Sequence, residues 1–207
     1  GITWHPTRQP ILLDRWSAPV TGVGRFTTIM SWKIDPPAPI VAGRVYGGKD
    51  IEFERFLTLP SHVPDALEVA IAGAAPRERI RAAGWEVVDA QAVSRTTAAY
   101  RQYIVESRGE LSIAKNAYVT TRSGWFSTRS AAYLAAGRPV VLQDTGFSAH
   151  LPLGPGLHAF ATIDDVVAAL AVVRSDYGRA ARHAREVAVE FFDAERVCGR
   201  LLADAFA

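Results

Sequence analysis

The fold is decided by the stretch Ala131-Ala132-Tyr133-Leu134-Ala135-Ala136-Gly137-Arg138-Pro139-Val140-Val141. Upstream of it, Ser127 is a good N-cap for a helix, and Gly137 is a good residue to end that helix. The apolar residues that follow predict a strand over Pro139–Leu142. A helix that passes at once into a short apolar strand is the repeating unit of α/β proteins.

The same alternation continues on both sides of this stretch. We predict further helices opening at Asp50, at Pro76 and at Ser94, the last running to about Ser107, and a run of helices from Asp164 to the C-terminus. Short alternating elements of this kind indicate an α/β fold, a Rossmann-like parallel sheet of about six strands flanked by helices, with extra C-terminal helices. The predicted strands are Phe26–Trp32, Leu67–Ala72, Glu86–Val88, Leu111–Ala114, Pro139–Leu142 and His158–Ile163.

Irregular sequence surrounds the first predicted strand. Residues 1–25 are punctuated by proline and glycine and are expected to be a linker or crossing segment, while residues 26–207 form the Rossmann-like domain with its C-terminal helical tail. After the first strand, Pro36, Pro37 and Pro39 predict a loop. Because the chain also lacks an initial Met, we expect it to begin partway through a longer protein or after a processed tag.

Composition narrows the classes of function. The 23 basic and 21 acidic residues leave a net charge of +2, which argues against a broad nucleic-acid surface. No apolar run approaches the roughly 20 residues of a membrane span. A single cysteine, Cys198, fits a reducing compartment, so we expect a cytoplasmic protein. The five histidines show no metal-ligand spacing, and no nucleotide-cofactor fingerprint is present, so neither a metal nor a cofactor is expected.

A ligand site is expected where the parallel strands end, because ligands of open α/β sheets bind outside the carboxyl ends of the strands. Gly48 and Lys49 precede a helix, and backbone amides, a helix start and a lysine together suit a phosphate. They also fit an ordinary loop with a solvated lysine. Four segments should meet at this edge: Trp32-Lys33, Tyr46–Asp50, Lys115–Thr128 and Asp144–Phe147.

The loop Arg122–Ser127 is the richest of these segments. Arg122 or Arg129 could hold phosphate with a guanidinium fork. Trp125 fits stacking on a base or a sugar and fits a core position equally well, whereas Phe126 fits the core. The candidate donor- or phosphate-binding residues are Lys33, Gly48, Lys49, Lys115, Asn116, Arg122, Ser123, Gly124, Trp125, Ser127, Thr145 and Gly146.

The alanine-rich helix, the Gly-Arg-Pro-Val-Val entry into a strand and the turn Asp144-Thr145-Gly146 resemble the C-terminal domain of GT-B glycosyltransferases of the glycosyl transferases group 1 type. The resemblance covers about residues 26–207. It implies one half of a GT-B architecture, with residues 26–207 binding a nucleotide-sugar donor. It also implies a partner N-terminal GT-B domain, missing from this chain, that receives the acceptor, so the chain alone is expected to be inactive.

The sequence also differs from the resembled family at several site positions. In that family a basic pair binds the donor diphosphate, and Lys33 and Lys49 are the nearest matches, although Lys33 follows tryptophan instead of glycine. The family's two glutamates, eight residues apart, correspond here to Gly124 and Ala132. Two functions therefore stand: the donor-binding domain of a glycosyltransferase, or a non-catalytic GT-B-like accessory or interaction domain. The sequence identifies no catalytic residue, and a receiver-like domain fits less well because the strand ends lack an acidic cluster.

Overall fold

A computed structural model describes residues 5–33 and 38–206 of the 207-residue chain. The first four residues, on which the expectation about the chain's beginning rests, and Pro36 and Pro37 of the proline loop lie outside the described residues. Among the described helices, none is both long enough and apolar enough to cross a membrane.

The strands are β1 (Phe26–Ser31), β2 (Ile40–Val41), β3 (Arg44–Val45), β4 (Leu67–Ala72), β5 (Glu86–Asp89), β6 (Gly109–Ser112), β7 (Val140–Gln143) and β8 (Leu157–Phe160). Six of them form the central parallel sheet, in the order β5-β4-β1-β6-β7-β8. This is the strand order of a doubly wound Rossmann fold, in which the chain leaves the centre first in one direction and then in the other. The predicted parallel sheet of about six strands is therefore confirmed. The short strands β2 and β3 form a separate antiparallel hairpin that the sequence analysis did not predict.

Helices cover both faces of the sheet. They are α1 (Lys49–Arg55), α2 (Arg77–Ala82), α3 (Ala90–Ser94), α4 (Thr97–Glu106), α5 (Asn116–Thr121), α6 (Thr128–Ala135), α7 (Ile163–Ser175), α8 (Tyr177–Phe191) and α9 (Ala194–Ala205). One core layer contains apolar residues of α1, α2 and α7 on one face, and a second contains those of α4, α6 and α8 on the other. Alternate residues of β7 belong to the two layers: Val141 lies in the first, and Val140 and Leu142 lie in the second.

Several element boundaries differ from the sequence predictions. The N-cap of α1 is Gly48 and not Asp50. The predicted helix from Ser94 to Ser107 begins later than expected: Ser94 ends α3, and Thr96 caps α4 by accepting a hydrogen bond from the Ala99 amide. The predicted Ser127 cap is confirmed, since its hydroxyl accepts from the Arg129 amide at 3.2 Å.

Strand β6 starts at Gly109, two residues before the predicted strand. A side chain at Gly109 would lie 2.6 Å from the Phe26 ring and 2.7 Å from the Pro139 carbonyl oxygen, so only glycine fits this close crossing of strands. Glu110 is fully buried, which a charged residue tolerates only with a partner. Glycine and glutamate both disfavour strand predictions, which explains the error.

The segment before β1 packs against the C-terminal helices. The Ile11 amide donates to the Phe192 carbonyl at 2.7 Å, and the Ala194 amide donates back to the Ile11 carbonyl at 3.0 Å. Ile11 is buried, and a short 3₁₀ turn follows it at Leu13–Trp16. The two ends of the described chain are thereby joined on one side of the sheet.

Candidate functional site

A cavity of about 670 Å³ opens at the carboxyl ends of the strands, where the strand order reverses. Strand β1 pairs with β4 along six residues, but it pairs with β6 only at Phe26–Gly109 and Thr27–Glu110. The separation of two neighbouring strands at this point is what makes room for ligands in doubly wound folds. The cavity is lined by Ile29, Met30, Ser31, Lys33, Lys49, Ala72, Ala90, Ser94, Ser112, Ala114, Lys115, Tyr118, Trp125, Ser127, Arg129, Leu142 and Thr145.

Arg129 bridges the gap between β1 and β6. Its guanidinium donates to the Ile29 carbonyl on β1, to the Ser112 hydroxyl on β6 and to the Glu110 carboxylate, each at 2.6 Å. Burial alone would lower the pKa of Arg129, but the attraction and hydrogen bond of Glu110 raise it, so the guanidinium stays charged. The guanidinium of Arg129 is therefore held in a fixed position at the cavity by partners on both strands.

All three lysines of the chain line this one cavity. The other 20 of the 23 basic residues are arginines, so the three lysines are Lys33, Lys49 and Lys115. Lys33 follows β1, Lys49 is the first residue of α1, and Lys115 is the N-cap of α5. Three elements from distant parts of the sequence thus deliver ammonium groups to one place.

Lys49 is buried beside other cations. Burial lowers the pKa of its amine well below the ordinary value, and the positive charges of Arg129 and Lys115 lower it further, while Glu110 opposes them. Among the described residues, its ammonium group makes no hydrogen bond or ion pair. None of the described residues lining the cavity is Asp or Glu. An anionic ligand would relieve this unbalanced positive charge.

One end of the cavity is aromatic. The rings of Tyr118 and Trp125 are stacked, with centroids 5.1 Å apart and planes at 26°, and the Lys115 ammonium lies 5.6 Å from the centre of the Tyr118 ring. Trp125 is 48% exposed, whereas its neighbour Phe126 is buried between Phe147 and Phe192. Trp125 therefore lies at the cavity and not in the core.

The other end of the cavity is small and weakly polar. Ala72 ends β4, and Ala90 and Ser94 are the first and last residues of α3. Short side chains leave a slot between the strand ends and this helix. Along the sheet, the cavity thus passes from small residues through the lysines to the aromatic pair.

Two predicted site residues build the loops around the cavity instead of lining it. The Asn116 side chain accepts from the Gly47 amide at 3.0 Å and donates to the buried Glu52 carboxylate at 2.9 Å. The Gly48 carbonyl accepts from the Asn116 amide at 3.0 Å. These contacts fix the starts of α1 and α5 against each other, and with them the positions of Lys49 and Lys115.

The other predicted residues that do not line this cavity belong to the Arg122–Ser127 loop or contact it. Arg122 has a left-handed backbone (φ 48°), and its side chain is 71% exposed and 4.0 Å from the Asp144 carboxylate. Gly146 passes directly beneath the Arg122 carbonyl, where an added Cβ would lie 2.9 Å from its oxygen. Ser123 and Gly124 line a second cavity of about 580 Å³ beside α9. The structure therefore brings together Lys33, Lys49, Lys115, Trp125, Ser127 and Thr145 from the predicted set.

Among the cavity residues that the candidate list omitted, Tyr118 and Arg129 make the contacts that shape the site. Tyr118 lies one turn after Lys115 on α5, a helix that the sequence analysis did not identify. Arg129 was considered only as an alternative to Arg122 for gripping phosphate, and its contacts with β1 and β6 could not be seen from local sequence. The sequence does contain a signal for the site. The chain has only three lysines, and each lies next to the end of a predicted strand or the start of a predicted helix.

No family model and no curated protein matches the sequence. Solved structures do match the fold. AviGT4, a glycosyltransferase involved in avilamycin A biosynthesis, matches with a TM-score of 0.59 and 16% identity over 94% of this chain and 55% of that chain. Sucrose-phosphate synthase (tll1590) from Thermosynechococcus elongatus matches with a TM-score of 0.58 and 14% identity over 96% and 51%. Anabaena Alr3699/HepE, in complex with UDP and glucose, matches with a TM-score of 0.55 and 10% identity over 97% and 56%.

These comparisons establish the fold. The matched proteins are GT-B glycosyltransferases, and the chain spans about half of their length. The chain accordingly has the Rossmann-like fold of one half of a GT-B glycosyltransferase, and the resemblance predicted from the sequence is confirmed at that level.

Proposed function

We propose that this domain binds the nucleotide-sugar donor of a glycosyltransferase, which transfers the sugar to an acceptor held elsewhere. One observation carries the proposal: all three lysines of the chain line one cavity at the switch point of the sheet, without a described acidic residue among its lining. Lysine is a compact point charge and a common phosphate ligand in proteins. A diphosphate supplies the negative charge that this arrangement lacks.

The three-part layout of the cavity supports a diphosphate with an organic group on each side. Strands in a sheet are about 4.8 Å apart, so the cavity crosses several strand widths from Ala90 beside β5 to Thr145 after β7. The lysines occupy its middle. A nucleoside fits on one side of them and a sugar on the other. The matched Anabaena protein was solved with UDP and glucose, which is the same combination of groups.

We further propose that a second GT-B domain supplies the acceptor. The matched glycosyltransferases are about twice as long as the region that this chain covers. A sugar transfer requires the acceptor to approach the donor, and in this proposal the approach occurs from the other domain. The 207-residue chain by itself is then expected to bind the donor without turnover, and robust sugar transfer by the purified chain would contradict this part of the proposal.

A non-catalytic accessory domain is the second candidate. The observation that favours it is that Gly124 and Ala132 stand where the resembled family carries its two glutamates. Such a domain would hold an anionic ligand without helping to transfer a group. The two candidates differ in the full-length protein: a transferase releases nucleoside diphosphate from a bound nucleotide-sugar when acceptor is present, and an accessory domain does not.

Titration calorimetry tests the donor site. Uridine, thymidine, adenosine and guanosine diphosphates are titrated into the wild-type chain and into Lys49→Met. A charge-assisted contact to phosphate is worth about 1.5–3 kcal/mol, so we expect the variant to bind at least about tenfold more weakly. Arg182→Met, an exposed change on α8, serves as the control and should bind like wild type. Wild type that binds none of the four diphosphates, or equal binding by Lys49→Met, would contradict the proposed site.

We also place the domain in the cytoplasm as part of this proposal. Its single cysteine, Cys198, is exposed and forms no disulfide, which fits a reducing compartment. Fractionation of cells that express the full-length protein tests this placement.

A further inference from the structure

Trp125 is held in place by its backbone while its side chain remains half-exposed. The Thr145 hydroxyl donates to the Trp125 carbonyl at 2.7 Å, and the Gly124 amide donates to the Thr145 carbonyl at 2.8 Å. The apolar core beside this loop is filled by Phe126 instead, which is 6% exposed. The indole of Trp125 is therefore fixed at the cavity without being needed to fill the core.

Tyr118 supports the indole. The two rings stack with a centroid separation of 5.1 Å, so the orientation of Trp125 is set before any ligand arrives. A rigid aromatic surface offers a large apolar contact area at little cost in conformational entropy. Since Lys115 lies over Tyr118, a phosphate bound by Lys115 would place its next group beside this surface.

The hydroxyls next to Trp125 already have partners. The Ser127 oxygen accepts from the Arg129 amide at 3.2 Å, and the Thr145 hydroxyl donates to the Trp125 carbonyl. What this end of the cavity offers most freely is therefore an aromatic face. A pyranose matches such a face, because its axial C–H groups form an apolar patch on one side of the ring.

The transferred group must meet a second reactant, whereas the nucleoside need not. Trp125 is 48% exposed, so a group stacked on its indole stays within reach of a second reactant. The aromatic end of the cavity therefore suits the sugar. We infer that Trp125 is a specificity-determining residue that binds the donor sugar by stacking on its C–H face, an assignment that rests on the proposed donor site.

The test compares two ligands that differ only in the sugar. They are the nucleoside diphosphate that binds most tightly in the titration above and its glucose ester. Their dissociation constants are measured for wild type, Trp125→Ala and Trp125→Phe. Trp125→Ala should weaken binding of the glucose ester by about tenfold, as an aromatic contact of about 1–1.5 kcal/mol requires, and leave the diphosphate within about twofold. Trp125→Phe should keep most of the affinity for the ester.

Each contrary result has its own meaning. If Trp125→Ala weakens both ligands equally, the indole stacks on the base and the inference is wrong. If it weakens neither, the indole does not contact the donor, and the inference is again wrong while the donor site stands. If wild type binds neither ligand, the proposed function itself fails. Trp16→Ala removes an indole outside the cavity and should leave both constants unchanged, and thermal unfolding shows whether each variant is folded.

Discussion

The parallel strands all begin on one side of the sheet, here called the amino edge, and all end on the opposite side, the carboxyl edge. Basic residues make different contacts at these two edges. At the amino edge Arg25 precedes β1 and lies 3.6 Å from the Glu68 carboxylate. Arg108 precedes β6 and lies 3.3 Å from Asp65, which also pairs with Arg174 at the end of α7. At this edge each of these arginines has an acidic partner.

Arg138 shows the same use of arginine without an acid. It is 1% exposed, and its guanidinium donates to the Val105 carbonyl at 3.1 Å and to the Pro19 carbonyl at 2.8 Å. Val105 lies in the last turn of α4, where carbonyls lack helical partners and a cation is favourable. Arg138 thus joins the segment before β1 to a helix end.

At the carboxyl edge, no acidic side chain in the described part of the chain pairs with the lysines. Lys49 is buried beside Arg129 and Lys115, and among the described residues nothing pairs with its ammonium. The comparison indicates that paired arginines stabilise this fold, whereas burial of Lys49 beside other cations costs stability and suits an anionic ligand. Arg129 belongs structurally to the first group although it lies in the cavity.

The largest effect on stability is expected from Arg138→Met. The change leaves the Val105 and Pro19 carbonyls without their donor in a nearly dry place, and we expect a loss of about 2–4 kcal/mol in the free energy of unfolding. Urea denaturation with an unchanged m-value measures it. The exposed change Arg182→Met should cost less than about 0.5 kcal/mol. Equal urea midpoints for Arg138→Met and Arg182→Met would show that buried, paired Arg138 stabilises the fold no more than an exposed arginine does.

Lys49→Met should stabilise the folded protein, in contrast to Arg138→Met. The folded-state pKa of Lys49 lies below its ordinary value, so at neutral pH the folded state bears a charging cost that the unfolded state does not. Removing the amine should raise the free energy of unfolding by about 0.5–2 kcal/mol while diphosphate binding is lost. A variant that is both less stable and unable to bind would show that Lys49 serves the fold.

The pH dependence of the free energy of unfolding tests whether the pKa of Lys49 is lowered in the folded protein. Because the folded pKa is lowered, the unfolded state binds more protons between the folded pKa and the ordinary value, so wild-type stability should rise with pH across that window. Lys49→Met should lack this contribution. Urea midpoints for both proteins at a series of pH values above neutrality give the difference directly. A wild-type profile parallel to that of the variant would contradict a lowered pKa.

Ligand binding should be accompanied by proton uptake of up to about one proton, because a phosphate beside Lys49 raises the pKa of its amine. Affinity should then fall as pH rises above the free-protein pKa. Calorimetry in two buffers with different ionisation enthalpies measures the protons taken up. Lys49→Met provides the comparison, since any uptake that persists in it comes from other groups. Proton release in the wild type would contradict the expected direction.

The smallest effect is expected from Arg122→Ala. The Arg122 side chain is exposed and does not line the main cavity, so its removal should change diphosphate affinity by less than about twofold and stability by less than about 0.5 kcal/mol. The titration used for Lys49→Met measures both variants side by side. A tenfold loss of diphosphate affinity would mean that the Arg122–Ser127 loop closes over the ligand and that Arg122 contacts it.

The layered α/β architecture follows from local features of the amino-acid sequence. Strand and helix alternation, the Ser127 cap and the Gly137-Arg138-Pro139 boundary are local signals, because they depend on periodicity and on hydrogen bonds within a few residues. The same signals placed Lys33, Lys49 and Lys115 beside the ends of elements. For parallel strands that position already implies a common edge.

Which residues face the cavity, and which are already paired, depends on long-range contacts. Arg129 donates to the Ile29 carbonyl, 100 residues earlier in the chain, and the burial of Glu110 makes sense only with that guanidinium beside it. Whether Trp125 lies in the core or at the cavity depended on Phe126 filling the core and on Thr145 holding the loop. These contacts join residues far apart in sequence, and their energies depend on burial, which no local pattern contains.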